Sequence, residues 1–236
     1  MTTTNYDIRI FTRVVVIYTS KLVVNDVVRE NIDKLACSLA EAGNPTEAWR
    51  SIFIKPPHKS WSDTVVAIKT NNIAQQHTRS AVMSKMCHTL THTLGVNPFN
   101  IHIYDACHGR NMHKKTAFEG LPKGCRVENK WGGSSTLTSI PKPWKNGTEK
   151  ILFPRQQLCL IDALWASKGG PGGNPTHQPS FLAMGVLSPI VDYQVATKFR
   201  SGKMGWQPNM RMTHRMLTDF GYYERDLPYK GKIIEL

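Results

Sequence analysis

The sequence lacks any long apolar run. Its two most apolar stretches, Val14–Tyr18 and Ile151–Phe153, are far shorter than the roughly 20 residues that a membrane-spanning helix needs. Residues Met1 to Arg9 show no basic patch leading into an apolar stretch, so no export signal is expected, and a processed chain would lack one too. The sequence therefore predicts no transmembrane span. Contact with a membrane surface and the cellular compartment stay open.

Cysteines are few and widely spaced. There are five, namely Cys37, Cys87, Cys107, Cys125 and Cys159. None forms a CxxC pair, whereas structural zinc and iron–sulfur clusters need closely spaced thiolates. We therefore expect reduced, mostly buried thiols and no cofactor. Cys107 would need an activating base to act as a nucleophile, and its neighbour His108 normally points elsewhere.

Acidic residues are greatly outnumbered by basic ones. Thirty Lys and Arg stand against 17 Asp and Glu, which leaves a formal net charge of +13. The excess is concentrated in Arg110–Lys150 and Lys198–Arg215, which indicates a face that meets an acidic surface of protein, lipid headgroups or nucleic acid. A solvated face that only aids solubility is the alternative. We expect an acidic protein surface in a multi-subunit complex; nucleic acid is disfavoured because aromatic residues do not interleave with the basic runs.

Length and composition fit one folded domain. The chain has 236 residues, 40% of them hydrophobic and 20% charged, as in globular proteins. A domain of this size buries a sizeable core without disulfides or metals. We therefore expect a single domain over residues 1–236.

The first half of the chain alternates strands and helices. Buried strands are predicted at Phe11–Tyr18, Thr64–Lys69 and Asn100–Asp105. Helices are predicted at Val28–Ala42 with Gly43 closing it, from Pro45 with Asn44 as its cap, and at Thr78–Leu94 with Gly95 ending it. A strand, a helix and a strand joined by a short connection favour parallel pairing. The sequence thus predicts an α/β fold with a mainly parallel sheet flanked by helices.

The second half is less periodic. Residues 106–154 form an irregular basic segment rich in Gly, Pro and Trp, with one strand predicted at Cys125–Trp131. The later elements are predicted as a helix at Leu158–Ser167, a loop at Gly169–Pro175, a strand at Phe181–Val186, and helices at Ile190–Arg200 and Met210–Phe220.

Polar side chains follow two of the predicted strands. Lys69 and Asn71 come at the end of one strand, and Asp105, His108 and Arg110 come at the end of the next. Ligands of parallel α/β sheets gather at the carboxyl ends of the strands. The pattern predicts a site for an anion or a polar ligand, and a plain surface loop is the alternative.

A metal site is a further alternative at the same place. It would need Asp105, His108 and His113 to converge, which neighbouring loop residues rarely do. His88 and His92 lie four residues apart on a predicted helix, opposite its apolar face and without the glutamate of a zinc-protease helix. We expect these two histidines to be solvent-exposed.

Several motifs, taken in order, resemble one known family. They are Ala48–Arg50, Val65–Asn71, Ile103–Asp105, Arg126–Gly133, Pro143–Thr148 and Ile161–Leu164 leading to Gly169–Gly173. This order is similar to that of the domain of unknown function 362 family, and the resemblance covers the chain from about Val14 to Val195. The family has no settled reaction. Many members look exported by the twin-arginine route and some are joined to iron–sulfur segments, so the resemblance implies a periplasmic protein if a leader has been removed, and a cytoplasmic one otherwise.

The chain departs from that family in two places. Members usually carry a long segment with Lys, His and Asn motifs after the region that matches Trp144–Thr148, whereas here Glu149 leads almost directly into Leu158–Ala163. The family's Asp-Pro turn also reads Ser188-Pro189. Either the chain is trimmed to a scaffold or the sequence omits a stretch near 150–157.

Three functions follow as hypotheses. The first is a non-catalytic or vestigial family member that acts as a basic accessory subunit or binding protein in a larger assembly. The second is an enzyme or ligand-binding protein with an anion- or metal-binding pocket around Lys69, Asn71, Asp105 and His108. The third is nucleic-acid binding. The lost segment favours a binding role over catalysis.

Overall fold

Helices and strands alternate along the part of the chain that the structure describes. This computed structural model describes residues 13–18, 24–56, 58–70, 72–73, 76–105, 118–129, 157–165, 176–186, 188, 190–191, 194–195 and 232–236. In chain order its elements are β1 (Arg13–Tyr18), α1 (Asn25–Ala40), α2 (Pro45–Ile52), β2 (Val66–Lys69), β3 (Asn72–Ile73), β4 (Gln76–His77), α3 (Ser80–His88) continued by a π-helix (Thr89–Leu94), a 3₁₀ turn (Pro98–Asn100), β5 (Ile101–Asp105), β6 (Arg126–Asn129), β7 (Cys159–Ala163), β8 (Phe181–Gly185) and β9 (Lys232–Glu235).

The longer strands form two sheets. Strands β2, β5 and β6 make a three-stranded, all-parallel sheet in the order β2-β5-β6. Strands β7, β8, β1 and β9 make a mixed sheet in which β1 runs antiparallel to β8 and parallel to β9. The predicted α/β class and the predicted parallel pairing of β2 with β5 are confirmed. β3 and β4 add a short hairpin.

The first core surrounds β1. Residues Val14 to Ile17 are buried, and every residue of the neighbouring β8 is buried as well. Helix α1 packs here through an apolar stripe at three- and four-residue spacing, made of Val28, Ile32, Leu35 and Leu39. A fully buried strand reads as a continuous apolar run, and this is why β1 and β8 were predictable.

The predicted end of α1 is wrong, whereas the predicted start of α2 is confirmed. Helix α1 ends at Ala40, and Glu41 rather than Gly43 takes the left-handed conformation, with φ of 52°. Its side chain forms an ion pair with Arg13. Helix α2 begins as predicted, because the Asn44 side chain accepts a hydrogen bond of 3.0 Å from the backbone N–H of Glu47.

Helix α3 packs into both cores. Ala81, Val82 and Met86 belong to the first core, whereas Met83 and Cys87 belong to a second core that covers the parallel sheet. Such all-round burial is typical of a helix between two packed layers.

The N-terminus of α3 is capped from a distant strand. The carboxylate of Asp162, on β7, accepts a hydrogen bond of 2.9 Å from the backbone N–H of Arg79. The predicted helix at Thr78–Leu94 is confirmed from Ser80 onward, with its last six residues in π-helical form and Gly95 at φ of 85°.

Two other sequence predictions are corrected. Within the stretch predicted as a helix at Leu158–Ser167, Cys159–Ala163 instead form β7, because they pair antiparallel with β8 along its whole length. Strand β2 was expected to be buried, but its residues alternate between half-buried and exposed because it lies at the edge of its sheet. Strands at Arg126–Asn129 and Phe181–Gly185 confirm the predictions there. The predicted loop at 169–175 and the helix at 210–220 lie outside the described residues.

Candidate functional site at the carboxyl edge of the parallel sheet

The three parallel strands end at one edge. In their register Lys69 lies beside Tyr104, and Asp105 lies beside Asn129. Since all three strands run in the same direction, their carboxyl ends meet there, as expected for a ligand site in an α/β sheet. We call Lys69, Thr70, Tyr104 and Asp105 the edge cluster.

A lysine and a carboxylate face each other in the edge cluster. The Nζ atom of Lys69 lies 3.5 Å from Oδ1 of Asp105. The Asp105 side chain is only 7% exposed, whereas that of Lys69 is 43% exposed. The predicted proximity of the two strand ends is therefore confirmed. The pair places an accessible positive charge directly over a buried negative one.

Backbone hydrogen bonds hold the edge cluster together. The backbone N–H of Thr70 donates to the carbonyl oxygen of Tyr104 at 3.0 Å, and the Thr70 hydroxyl donates to the same oxygen at 3.4 Å. The Lys69 ammonium also donates to the carbonyl oxygen of Thr70 at 3.2 Å. Because Thr70 is buried, these bonds continue the strand pairing one residue beyond β2 and fix the lysine at the edge.

Tyr104 contributes an unsatisfied hydroxyl. The residue is 4% exposed, and its buried hydroxyl has no hydrogen-bond partner among the described residues. Leaving such a group unpaired costs about 1–3 kcal/mol, so its presence calls for a physical reason. Burial, and after it the nearby Asp105 charge, raise the pKa of Tyr104 above its ordinary value. The hydroxyl therefore stays protonated and can donate a hydrogen bond.

Other predicted site residues lie outside the described residues. These are Asn71, His108, Arg110 and His113, together with Cys107. Of the three candidate metal ligands only Asp105 is described, and it faces the ammonium of Lys69. That ammonium would repel a cation placed beside the carboxylate. No three His, Cys, Asp or Glu side chains converge among the described residues.

The two helix histidines are exposed, as predicted. The rings of His88 and His92 stack with centroids 5.2 Å apart, and Nε2 of His88 lies 3.0 Å from the carbonyl oxygen of Gly120. His88 thus ties the end of α3 to the segment before β6, which is a structural contact.

Sequence reasoning missed the role of Tyr104 and Thr70. In the sequence, Tyr104 stands in an apolar strand, where an aromatic residue is ordinarily part of the core. The only usable signal was its position immediately before Asp105.

Comparison of the chain with family models, curated proteins and solved structures finds no significant match. The resemblance to the domain of unknown function 362 family therefore stays a prediction. Among the described helices none is both long and apolar enough to cross a membrane.

Proposed function

We propose that the chain is a ligand-binding protein that takes a small anion carrying its own hydrogen-bond donor at the edge cluster. The pairing of Lys69 with Asp105 at 3.5 Å carries this proposal. The half-exposed ammonium would bind the negative group of the ligand. The buried carboxylate would accept a hydrogen bond from a hydroxyl or amine on the same ligand.

Tyr104 supports the same ligand class. Its hydroxyl is buried, protonated and without a partner in the described part of the chain, so a ligand oxygen that accepts its hydrogen bond would offset the cost of leaving it unpaired. A ligand with both an anionic oxygen and a donor would satisfy Lys69 and Asp105 together. A simple divalent cation could not, because the ammonium of Lys69 would repel it.

Matched probe ligands test the proposal. Malate and succinate are both dicarboxylates, but only malate carries a hydroxyl; glycerol 3-phosphate and inorganic phosphate form a second such pair. We expect the hydroxyl-bearing member of at least one pair to bind more tightly in isothermal titration calorimetry. A hydrogen bond to a charged group contributes about 1.5–3 kcal/mol, so Lys69→Ala should weaken that binding roughly 10- to 100-fold.

Two variants make the result specific. Lys69→Arg keeps the charge and should retain most of the affinity, and Lys34→Ala removes an exposed lysine of α1 and should change nothing. Failure of all four probes to bind would overturn the proposal. So would equal binding by the wild type and a folded Lys69→Ala.

A second candidate function is that of a basic accessory subunit. The described residues carry nearly as many acidic as basic side chains, so the net charge of +13 comes largely from the rest of the chain, including most of Arg110–Lys150 and all of Lys198–Arg215. We propose that these segments meet an acidic protein. Native mass spectrometry at low and high salt tests this, and a monomer without a salt-sensitive partner would contradict it.

A further inference from the structure

Two cysteine side chains lie against each other in the second core. Cys87, on α3, is fully buried, and Cys125, immediately before β6, is half-buried against the same core. A hydrogen-bond interaction between the two thiols lowers the pKa of Cys125 and raises the pKa of Cys87. Both are free thiols, so the pair is reduced and can be oxidised to a disulfide.

The strand register places the pair independently of that hydrogen bond. In the parallel pairing of β5 with β6, Val127 lies beside Ile103. Successive side chains of a strand point to opposite faces, so Cys125 shares the face of Val127 and Ile103. Helix α3 covers this face and contributes Cys87 to the same core.

The segment before Cys125 is fixed to α3 at a second point. The carbonyl oxygen of Gly120 lies 3.0 Å from Nε2 of His88, one residue after Cys87. A tight turn then leads into β6, with Gly124 at φ of 112° and the backbone N–H of Cys125 donating to the carbonyl oxygen of Pro122 at 3.2 Å. These contacts fix the segment that carries Cys125 next to the end of α3.

We propose that Cys87 and Cys125 form a thiol–disulfide site that reacts with a low-molecular-weight disulfide. The sulfur of Cys125 attacks one sulfur of the reagent, its S–S bond breaks, and one thiol leaves. The sulfur of Cys87 then attacks Cys125 in the mixed disulfide and releases the second thiol. The protein loses two hydrogens and is oxidised, and the reagent is reduced to two thiols.

The order of attack follows first from exposure, because Cys125 is half-buried whereas Cys87 is fully buried. The interaction between the two thiols also lowers the pKa of Cys125 and raises that of Cys87. Thiolate character and access decide which thiol reacts first, so Cys125 is the attacking thiol and Cys87 the resolving one.

Cys37 provides a contrast within the same chain. Burial, followed by the charges of Asp33 and Glu47, raises the pKa of Cys37. It is therefore a weaker nucleophile at neutral pH, although it is also half-buried. A reaction at the proposed site should leave Cys37 unmodified.

Peptide mapping by mass spectrometry tests the proposal. The native full-length protein is treated with excess oxidised glutathione at neutral pH, and remaining thiols are alkylated before digestion without reductant. We expect one cross-linked product, joining the Cys87 and Cys125 peptides and lighter by two hydrogens. Reduction should separate the two peptides. In urea the selectivity should disappear, because the unfolded chain no longer holds the two thiols together.

Matched variants separate this site from the other thiols. Cys125→Ser, at a half-buried position, should abolish the cross-link and leave Cys87 reduced, whereas Cys37→Ser should leave the cross-link unchanged. A stable glutathione adduct on Cys125 without a cross-link would overturn the proposal. So would a cross-link of either thiol to another cysteine, or no reaction at all. The site lies at the opposite end of β6 from Asn129, so its failure would not affect the ligand proposal.

Discussion

Replacing Tyr104 with phenylalanine removes the one hydroxyl of the edge cluster for which the described residues offer no partner. The ring stays in place, and 96% of the residue is already shielded from solvent, since it is 4% exposed. Leaving a buried hydroxyl unpaired costs about 1–3 kcal/mol. Allowing for partial relaxation, we expect Tyr104→Phe to be about 1 kcal/mol more stable than the wild type, which raises Tm by about 2–4 °C for a chain of this size.

The same variant should bind ligand more weakly. If the ligand accepts a hydrogen bond from Tyr104, losing that bond costs about 1 kcal/mol, or roughly fivefold in Kd. Urea denaturation and calorimetry with the tightest probe measure the two effects on one protein sample. Tyr18→Phe is the matched control, because Tyr18 is 45% exposed at the end of β1 and should change neither quantity appreciably.

For Tyr104→Phe we expect the two assays to change in opposite directions, with a higher free energy of unfolding and a weaker affinity for the ligand. A loss of stability in Tyr104→Phe would show that the hydroxyl has a partner in the unliganded protein, and the reasoning from its burial would be refuted. A gain of stability with unchanged affinity would place the tyrosine outside the binding site.

Three further outcomes are expected. Asp33→Ala should lower the free energy of unfolding, measured in urea, by about 2–3 kcal/mol, because Asp33 accepts hydrogen bonds of 2.9 Å from the indole N–H of Trp49 and 2.6 Å from the ammonium of Lys85. The control Asp26→Ala, at an exposed position, should lower it by less than about 0.5 kcal/mol. Equal losses in the two variants would contradict this. Gly185→Ala should lower the free energy of thermal unfolding by about 2 kcal/mol or more, because the added Cβ would lie 2.5 Å from a methyl carbon of Val191. Gly43→Ala, where an added Cβ meets no atom within 4 Å, should leave that free energy nearly unchanged. The folded pKa of Tyr104 is raised above its ordinary value of 10.0, so the unfolded chain ionises first, and wild-type stability is unaffected by this group below pH 10 and decreases above it. Urea titrations at pH 9 and pH 11 should therefore show a smaller loss of stability in Tyr104→Phe than in the wild type, and identical losses would rule this out.

Local signals in the sequence predicted the local structure. Asn44 and Pro45 marked the start of α2, and the pairing of β2 with β5 followed from a helix between two apolar strands. Strand β7 was missed because Leu158 to Ala163 contains a single β-branched residue, so its extended form depends on pairing with β8. Strand β9 was missed because its partner β1 lies at the other end of the sequence.

The site was predictable only in part. The rule that ligands bind at the carboxyl ends of parallel strands predicts from the sequence that Lys69 and Asp105 lie together. Nothing in the sequence distinguishes Tyr104 from a core aromatic residue, since its unpaired hydroxyl depends on what surrounds it. The contact of Cys87 with Cys125 likewise depends on which face of β5 the helix covers, and spacing alone does not reveal it.

The position of β1 has a consequence for synthesis on the ribosome. This strand is translated well before both of its partners, because the antiparallel one is completed only at Gly185 and the parallel one at Glu235. At a typical 5–20 residues per second the first partner arrives on the order of ten seconds later. Throughout that interval the nascent chain exposes four successive aliphatic residues with both strand edges open, which is the kind of segment that molecular chaperones retain.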